Sequence, residues 1–351
     1  MLRKLIVPTG GPFRILAIYL LLAAWVTGCR DEAGASAARK FRGGGSLVIV
    51  IGPSQTHPQW PGIRGGAEKA AGEIPYARFD FIAPPTGTER DLTRLVVDSI
   101  AREPFAICLF VADGATARPA AKKILDQGIL LVTMGAELSD LPVFAAVRIN
   151  YPAAAEKLGR ILLKAADGKR SYLLLHESGR DPVATDCYNR FRAQAANQYS
   201  LSLLEQRNAA DSSLAPAALI REMTTMFRHA GLMVTLDPTP WFTNRPRDLL
   251  GANTRFATLA ATPNLWASLQ NGTAAALVGP LDGVVGSTAI DMISDALTGA
   301  DARSAPRLIE CEVVLPADLS DFARRYADAA GLELATLLPS KAATQPVSGP
   351  G

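Results

Sequence analysis

The sequence is short of histidine, of cysteine and of charge imbalance. Its three histidines, His57, His176 and His229, stand far apart, without the close pairing that zinc sites use. Nothing in that spacing calls for a metal or any other cofactor. Four cysteines in 351 residues are too few and too scattered for a disulfide framework. Cys108 lies inside the apolar run Ala106–Val111 and reads as a buried thiol. A bridge between Cys187 and Cys311 gains no support from their spacing. Lys and Arg total 36 against 33 Asp and Glu, a formal net charge of +3. That balance makes no broad electrostatic case for nucleic acid as a partner. There is no Gly-x-Ser-x-Gly elbow, no Walker loop and no convincing Ser/His/Asp grouping, so an enzyme is not expected. No repeat of about 20–50 residues is evident, which argues against a solenoid.

Long apolar runs are also missing after the first thirty residues. The run that does occur, Ile15–Val26, has twelve residues. A bilayer span needs about 20, so this run suits the core of a secretory signal. Arg3 and Lys4 precede it, and Val26-Thr27-Gly28-Cys29 closes it. Small residues immediately before a cysteine resemble a bacterial lipobox. That resemblance implies cleavage before Cys29, lipidation of its thiol, and an extracytoplasmic, lipid-anchored protein of the periplasm. The other reading is an uncleaved N-terminal anchor with an incidental cysteine.

Removing 28 signal residues from 351 leaves enough chain for two domains of about 150 residues each. Residues 29–46 are small, polar and glycine-rich and read as a flexible tether; the tail 339–351 is expected to be disordered. Between them, short β-branched runs alternate with helical spacing. Strands are expected at Leu47–Gly52, Ala77–Ile82, Ala106–Val111, Ile129–Thr133 and Ala145–Ile149. Helices are expected at Gln59–Gly72, Thr88–Arg102 and Thr116–Gln127, with Thr88 and Thr116 as N-caps. After Asn150 the alternation restarts. It runs through strands at Ser171–His176, Leu201–Gln206, Leu232–Leu236, Phe256–Ala261, Ala274–Val278 and Leu308–Leu315. Their near-continuous apolarity indicates parallel sheets covered on both faces. The expected fold class is α/β, with two Rossmann-like, doubly wound lobes in succession.

The order of these pieces resembles the sugar-type periplasmic binding proteins, the type I solute-binding fold. The resemblance runs from about Leu47 to Gly331. Its most specific part is Ile51-Gly52-Pro53-Ser54-Gln55-Thr56-His57-Pro58-Gln59-Trp60, followed by Gly65-Gly66-Ala67-Glu68-Lys69-Ala70-Ala71. Gly128–Thr133, Leu158-Gly159, Asn271–Ala275, Gly279–Gly283 and Asp291–Gly299 follow in the family's order. The resemblance implies a three-crossing hinge, placed near Arg148–Tyr151, Val278–Asp282 and Glu310–Val313. Residues 47–149 with about 281–310 would form the N-terminal lobe, and 150–280 with about 311–338 the C-terminal lobe. A ligand would lie between the lobes, outside the carboxyl ends of the strands, and be captured by hinge closure.

A sugar offers hydroxyls and a flat C–H face, so its cleft needs polar groups and an aromatic plate. His57, Gln59 and Trp60 stand where the family keeps polar and ring-bearing residues. Trp60 reads either as a plate or as core beside Ile63 and Ala67, and His57 as a donor or a solvated loop residue. Asp113 and Asp237 follow strands and read as ligand contacts or as turn residues. Arg180 and Tyr188 lie where the family supplies an arginine, and Trp241 is a second plate or core. There are departures. Met134-Gly135-Ala136, Gly279 and Ala261 stand where the family has polar groups, so several sugar contacts are missing.

The leading reading is a monomeric lipid-anchored binding protein. It would hold a sugar or related polar solute and serve an ABC permease or a membrane sensor. The alternative is a degenerate binding-protein fold used as an interaction or scaffolding module on the envelope, which the lost polar groups favour. A transcriptional repressor of related fold would need an N-terminal helix-turn-helix, which the signal segment replaces.

Overall fold

Strands that are apolar on both sides become the middle of a sheet, and this chain builds two such sheets. The computed structural model describes residues 46–138, 140–179, 181–299 and 306–338. The expected signal segment 1–28, the expected tether up to residue 45 with Cys29, and the expected tail 339–351 lie outside the described residues. All the described residues belong to one compact unit, Gly45–Gly351.

The first sheet takes β1 (Ser46–Ile51), β2 (Ala77–Ile82), β3 (Ala106–Val111), β4 (Leu130–Gly135) and β5 (Ala145–Ile149), with helices α1 (Trp60–Ala71), α2 (Glu89–Ile100) and α3 (Gly114–Asp126). The second half contributes α4 (Tyr151–Arg160), α5 (Leu162–Ala166), β6 (Ser171–His176), α6 (Pro182–Ala195), β7 (Ser202–Asn208) and α7 (Pro216–Met226). It continues with β8 (Leu232–Thr235), α8 (Thr239–Thr243), β9 (Arg255–Thr258), α9 (Pro263–Gln270) and β10 (Ala274–Gly279). The chain then forms α10 (Asp282–Leu297), β11 (Arg307–Ile309), β12 (Glu312–Val314), α11 (Leu319–Ala330) and α12 (Leu334–Leu337). Sheet order is β11-β5-β4-β3-β1-β2 in the N-terminal lobe and β12-β10-β9-β8-β6-β7 in the C-terminal lobe. The first sheet is parallel throughout. In the second, β12 runs antiparallel to β10, with Leu277 opposite Val314.

Side chains on a strand alternate between faces, and the core follows that rule. On β3, Ile107, Leu109 and Val111 enter one apolar cluster, while Ala106, Cys108 and Phe110 enter another. The second cluster continues through the hinge to Tyr172, Leu174 and Phe191 of the other lobe. Edge strands depart from the expected two-sided cover. β2 and β7 carry no fully buried residue, because an edge strand has a neighbour on one side only.

The chain passes between the lobes at Asn150, at Pro280–Leu281 and at Glu310–Cys311. The last crossing divides the expected strand Leu308–Leu315 into β11 and β12, which belong to different sheets. Apolar periodicity reports burial at both ends and is blind to a change of sheet. The α3 N-cap also differs from expectation. It is Asp113, whose carboxylate accepts from Ala115 N and Thr116 N, rather than Thr116. Asp outranks Thr at this position and can accept two backbone donors. Thr88 does cap α2, accepting from Asp91 N.

α1 and α10 approach so closely that only glycine fits. A Cβ on Gly66 would lie 2.0 Å from Gly283 O, and one on Gly286 2.0 Å from Ile63 O. α11 then packs against both helices and against α9. Cys108, Cys187 and Cys311 are free and buried. Burial pushes each of these thiols up to about 12. Among the described residues no helix is long and apolar enough to cross a membrane.

Candidate functional site: the interlobe cleft

All three crossings leave the carboxyl ends of strands, so the lobes face each other across those ends. The loop after β1 is folded by its own backbone. Gly52 N donates to Ile82 O (2.9 Å), Gln55 N to Pro84 O (3.0 Å) and Trp60 N to His57 O (3.0 Å). This presents the His57 ring toward the other lobe. Its centroid lies 5.1 Å from that of Phe242, edge to face, and 6.1 Å from that of Phe110. Phe110 is the penultimate residue of β3, while Phe242 sits on α8 of the opposite lobe, so His57 and Phe242 touch across the cleft. Burial lowers the His57 pKa to about 4, leaving the ring neutral at neutral pH. Nδ1 accepts from Gln59 N (3.3 Å), which leaves the proton on Nε2. The cleft therefore has a neutral donor flanked by two phenyl rings.

The other expected contacts divide. Trp60 is a correction: it is 6% exposed and belongs to the core. Its ring lies flat over Gly52, where a Cβ would come within 2.3 Å of Cε3, so it offers no face to a ligand. Gln59 is a second correction. It is 5% exposed, and its Nε2 donates to Asp282 Oδ1 (2.9 Å), which spends the carboxamide on the hinge. Asp113 is half-buried on the cleft side of β3 while capping α3. Asp237 is likewise half-buried, and its Oδ1 accepts from Thr239 N (3.0 Å) and Thr239 Oγ1 (2.7 Å). Tyr188 packs against His176 with ring centroids 4.1 Å apart and planes tilted by 34°, and its hydroxyl donates to Gln206 Oε1 (3.3 Å). Arg180 lies outside the described residues. Trp241 is core, with Nε1 donating to Thr235 Oγ1 (2.7 Å) and its ring stacked on Phe256.

Four cleft residues were not anticipated. Phe110 read only as part of the apolar strand Ala106–Val111. Phe242 carried no signal beyond its place after Asp237. Glu137, following β4, pairs with Arg148 on β5. Arg148 Nε is buried and has no hydrogen-bond acceptor among the described residues. An arginine one residue before the end of an apolar strand was the available clue. The departures from the family pattern also acquire a cause. Gly135 has φ +97°, and a Cβ there would lie 2.6 Å from Val111 O; at Gly279 it would lie 2.5 Å from Ala261 N. The strand ends are drawn together where the family places polar side chains. Among the described residues no group of three or more His, Cys, Asp or Glu is placed to hold a metal ion.

Residues 48–301 match the family model of the periplasmic binding protein domain. The chain belongs to this family. As a periplasmic binding protein it has the solute-binding fold and is not an enzyme. Solved structures share the two-lobed α/β fold. One is a glucose-galactose binding protein from Geobacillus stearothermophilus (17% identity, TM-score 0.64, covering 79% of this chain and 99% of that one). Another is an arabinose binding protein from the same organism (13%, TM-score 0.65, 80% and 99%). A third is an ABC transporter solute binding protein from Agrobacterium vitis bound with alpha-D-tagatopyranose (15%, TM-score 0.66, 80% and 98%). No curated protein matches the sequence.

Proposed function

We propose that this periplasmic binding protein captures a small sugar-like solute between its lobes. It does so as a lipid-anchored monomer that delivers to an ABC importer or reports to a membrane sensor. The observation that carries this reading is the His57–Phe110–Phe242 group. A neutral Nε2–H suits a hydroxyl or ring oxygen, and phenyl rings suit the C–H face of a sugar. Arg148 Nε supplies a second donor in need of an acceptor. Asp113, Asp237 and Tyr188 are the remaining polar contacts we assign, with Arg180 as the arginine the family resemblance implies. The sugar class is supported by the glucose-galactose, arabinose and tagatopyranose ligands named for proteins of the same fold. The anchor is assigned to Cys29 on its lipobox-like context.

A thermal-shift screen of the chain against sugars, polyols and nucleosides tests the reading. A ligand at 100 times its dissociation constant stabilises the native state by about 2.7 kcal/mol. Cooperative melting with no shift across the panel would favour the interaction module instead. One observation points that way: His57 and Phe242 already touch, and the strand ends are closed at Gly135 and Gly279. For the anchor, Cys29→Ala is expected to abolish partitioning into detergent. Unchanged partitioning removes the lipid assignment.

A further inference from the structure

Asp282 opens α10 directly after the second crossing and is 1% exposed. Its Oδ1 accepts from Gln59 Nε2 (2.9 Å), and its Oδ2 accepts from Tyr326 Oη (2.8 Å). The two donors come from opposite ends of the chain. Gln59 precedes α1, and Tyr326 lies on α11. The first crossing brings Tyr151 to the same place, beside Gln59 and Asp282. The third brings Cys311. One buried carboxyl therefore sits where the three crossings converge.

The packing around it is tight. A Cβ on Gly62 would lie 2.3 Å from Tyr326 Oη and 2.8 Å from Asp282 Cβ, so α1 leaves no space there for a counter-ion. The titratable groups facing the carboxyl are Tyr326 on α11, Tyr151 at the first crossing and Cys311 at the third, with Cys187 of α6 beside the last two. All four are neutral at ordinary pH and none is cationic. Lys157 serves the third crossing from outside, donating to Cys311 O (2.8 Å) and Glu310 Oε2 (3.1 Å).

We propose that Asp282 is the positioning residue of the cleft: through Gln59 it holds the loop that carries His57, and its proton governs how readily the lobes part. This rests on the interlobe cleft being the binding site. The path is short. Asp282 accepts from the Gln59 side chain, Gln59 N donates to His57 Nδ1, and the His57 ring meets Phe242 of the other lobe. An ionised Asp282 has two donors but no cation, and burial makes its charge costly. Its pKa is accordingly pushed up to about 7, mainly by desolvation, against lowering by Tyr326 and Gln59. A protonated Asp282 donates to Tyr326 Oη and keeps Gln59 on its other oxygen, so the packed hinge is favoured. Loss of the proton favours the parted hinge, where water reaches the carboxylate.

The test uses the ligand-free full chain with spin labels on non-natural residues at exposed Val97 and Tyr199, one in each lobe. Pulsed-EPR distances are recorded from pH 5 to pH 9. In the wild type we expect the longer-distance population to rise at least threefold across neutral pH. Asp282→Asn, which keeps shape and removes the charge, is expected to hold the low-pH distribution throughout. Tyr326→Phe, which deletes one donor to the ionised form, is expected to move the midpoint to higher pH. The proposal is overturned if the wild type shows no pH response, or if Asp282→Asn responds as the wild type does. No ligand is needed, so a failed thermal-shift screen rejects the solute reading without deciding the hinge, and the converse also holds.

Discussion

The cleft and the hinge of this protein have exchanged the characters expected of them. A sugar-binding cleft usually concentrates polar side chains, and a hinge usually needs little beyond backbone. Here the cleft is faced by His57, Phe110 and Phe242, with glycines at 135 and 279 closing the strand ends. The hinge instead buries Asp282, Gln59 and Tyr326 in one hydrogen-bonded group. The lesson concerns where polarity is spent. A buried polar group must be satisfied wherever it sits, so a satisfied network fixes geometry, and a sparse one leaves donors for a ligand. His57 Nε2 and Arg148 Nε are such donors in the cleft, while the three polar side chains of the hinge bond to one another.

The comparison can be broken by substitution. The largest effect is expected from Trp60→Ala, which empties a core site over Gly52 and should lower unfolding stability by about 3–5 kcal/mol. A loss below 1 kcal/mol in urea unfolding would return Trp60 to the cleft. Gly66→Val drives a side chain into Gly283 O and should cost about 1–3 kcal/mol or more, measured the same way. Equal stability would mean that the α1–α10 contact is slack.

Acid and base sharpen it further, because the two regions titrate with opposite sign. His57 sits below its ordinary value, so between about pH 4 and 6.5 the folded state binds fewer protons than the unfolded one. Its contribution is complete above 6.5 and is lost as pH falls toward 4. His176, also lowered to about 4 by burial, adds the same sign. Asp282 sits above its ordinary value, so the folded state binds more protons between about pH 4 and 7. Its contribution falls as pH rises through that window. His57→Gln should therefore flatten the acid loss by on the order of 1–2 kcal/mol. Asp282→Asn should steepen it. Stability curves of the two variants that bend the same way would refute this assignment. The smallest effect is Phe242→Ala: about tenfold weaker binding of whichever panel compound shifts the melt, with stability changed by under about 1 kcal/mol. Unaltered affinity would take Phe242 out of the site.

Much of the fold was legible before any coordinates. Ala77–Ile82, Ala106–Val111, Ala145–Ile149 and Ser171–His176 begin and end where their patterns do. These are stretches in which periodicity, β-branched content and turn residues agree. Leu308–Leu315 was legible as apolar but not as two strands, since its halves are buried in different sheets. The site was less legible. His57 was expected at the cleft from its loop, Trp60 was left between plate and core, and Gln59 was expected at a ligand but faces the hinge, because neighbours in sequence diverge by about 100° per residue on entering a helix. Asp282 had a signal that went unused: a lone carboxylate between the apolar runs of β10 and α10. Phe242 and Tyr326 had none.

By itself the sequence determined the α/β alternation, the restart after Asn150, the lipobox-like start and the absence of catalytic or metal-binding spacing. Those properties are local, readable from a few neighbouring residues at a time. Only the tertiary structure decided that His57 meets Phe242, that Trp60 is core, and that Gln59, Asp282 and Tyr326 meet at the hinge. Their separations along the chain are 185, 223 and 44 residues for the pairs His57–Phe242, Gln59–Asp282 and Asp282–Tyr326. Contacts at that range are set by how three crossings bring two sheets together, and no local pattern encodes them.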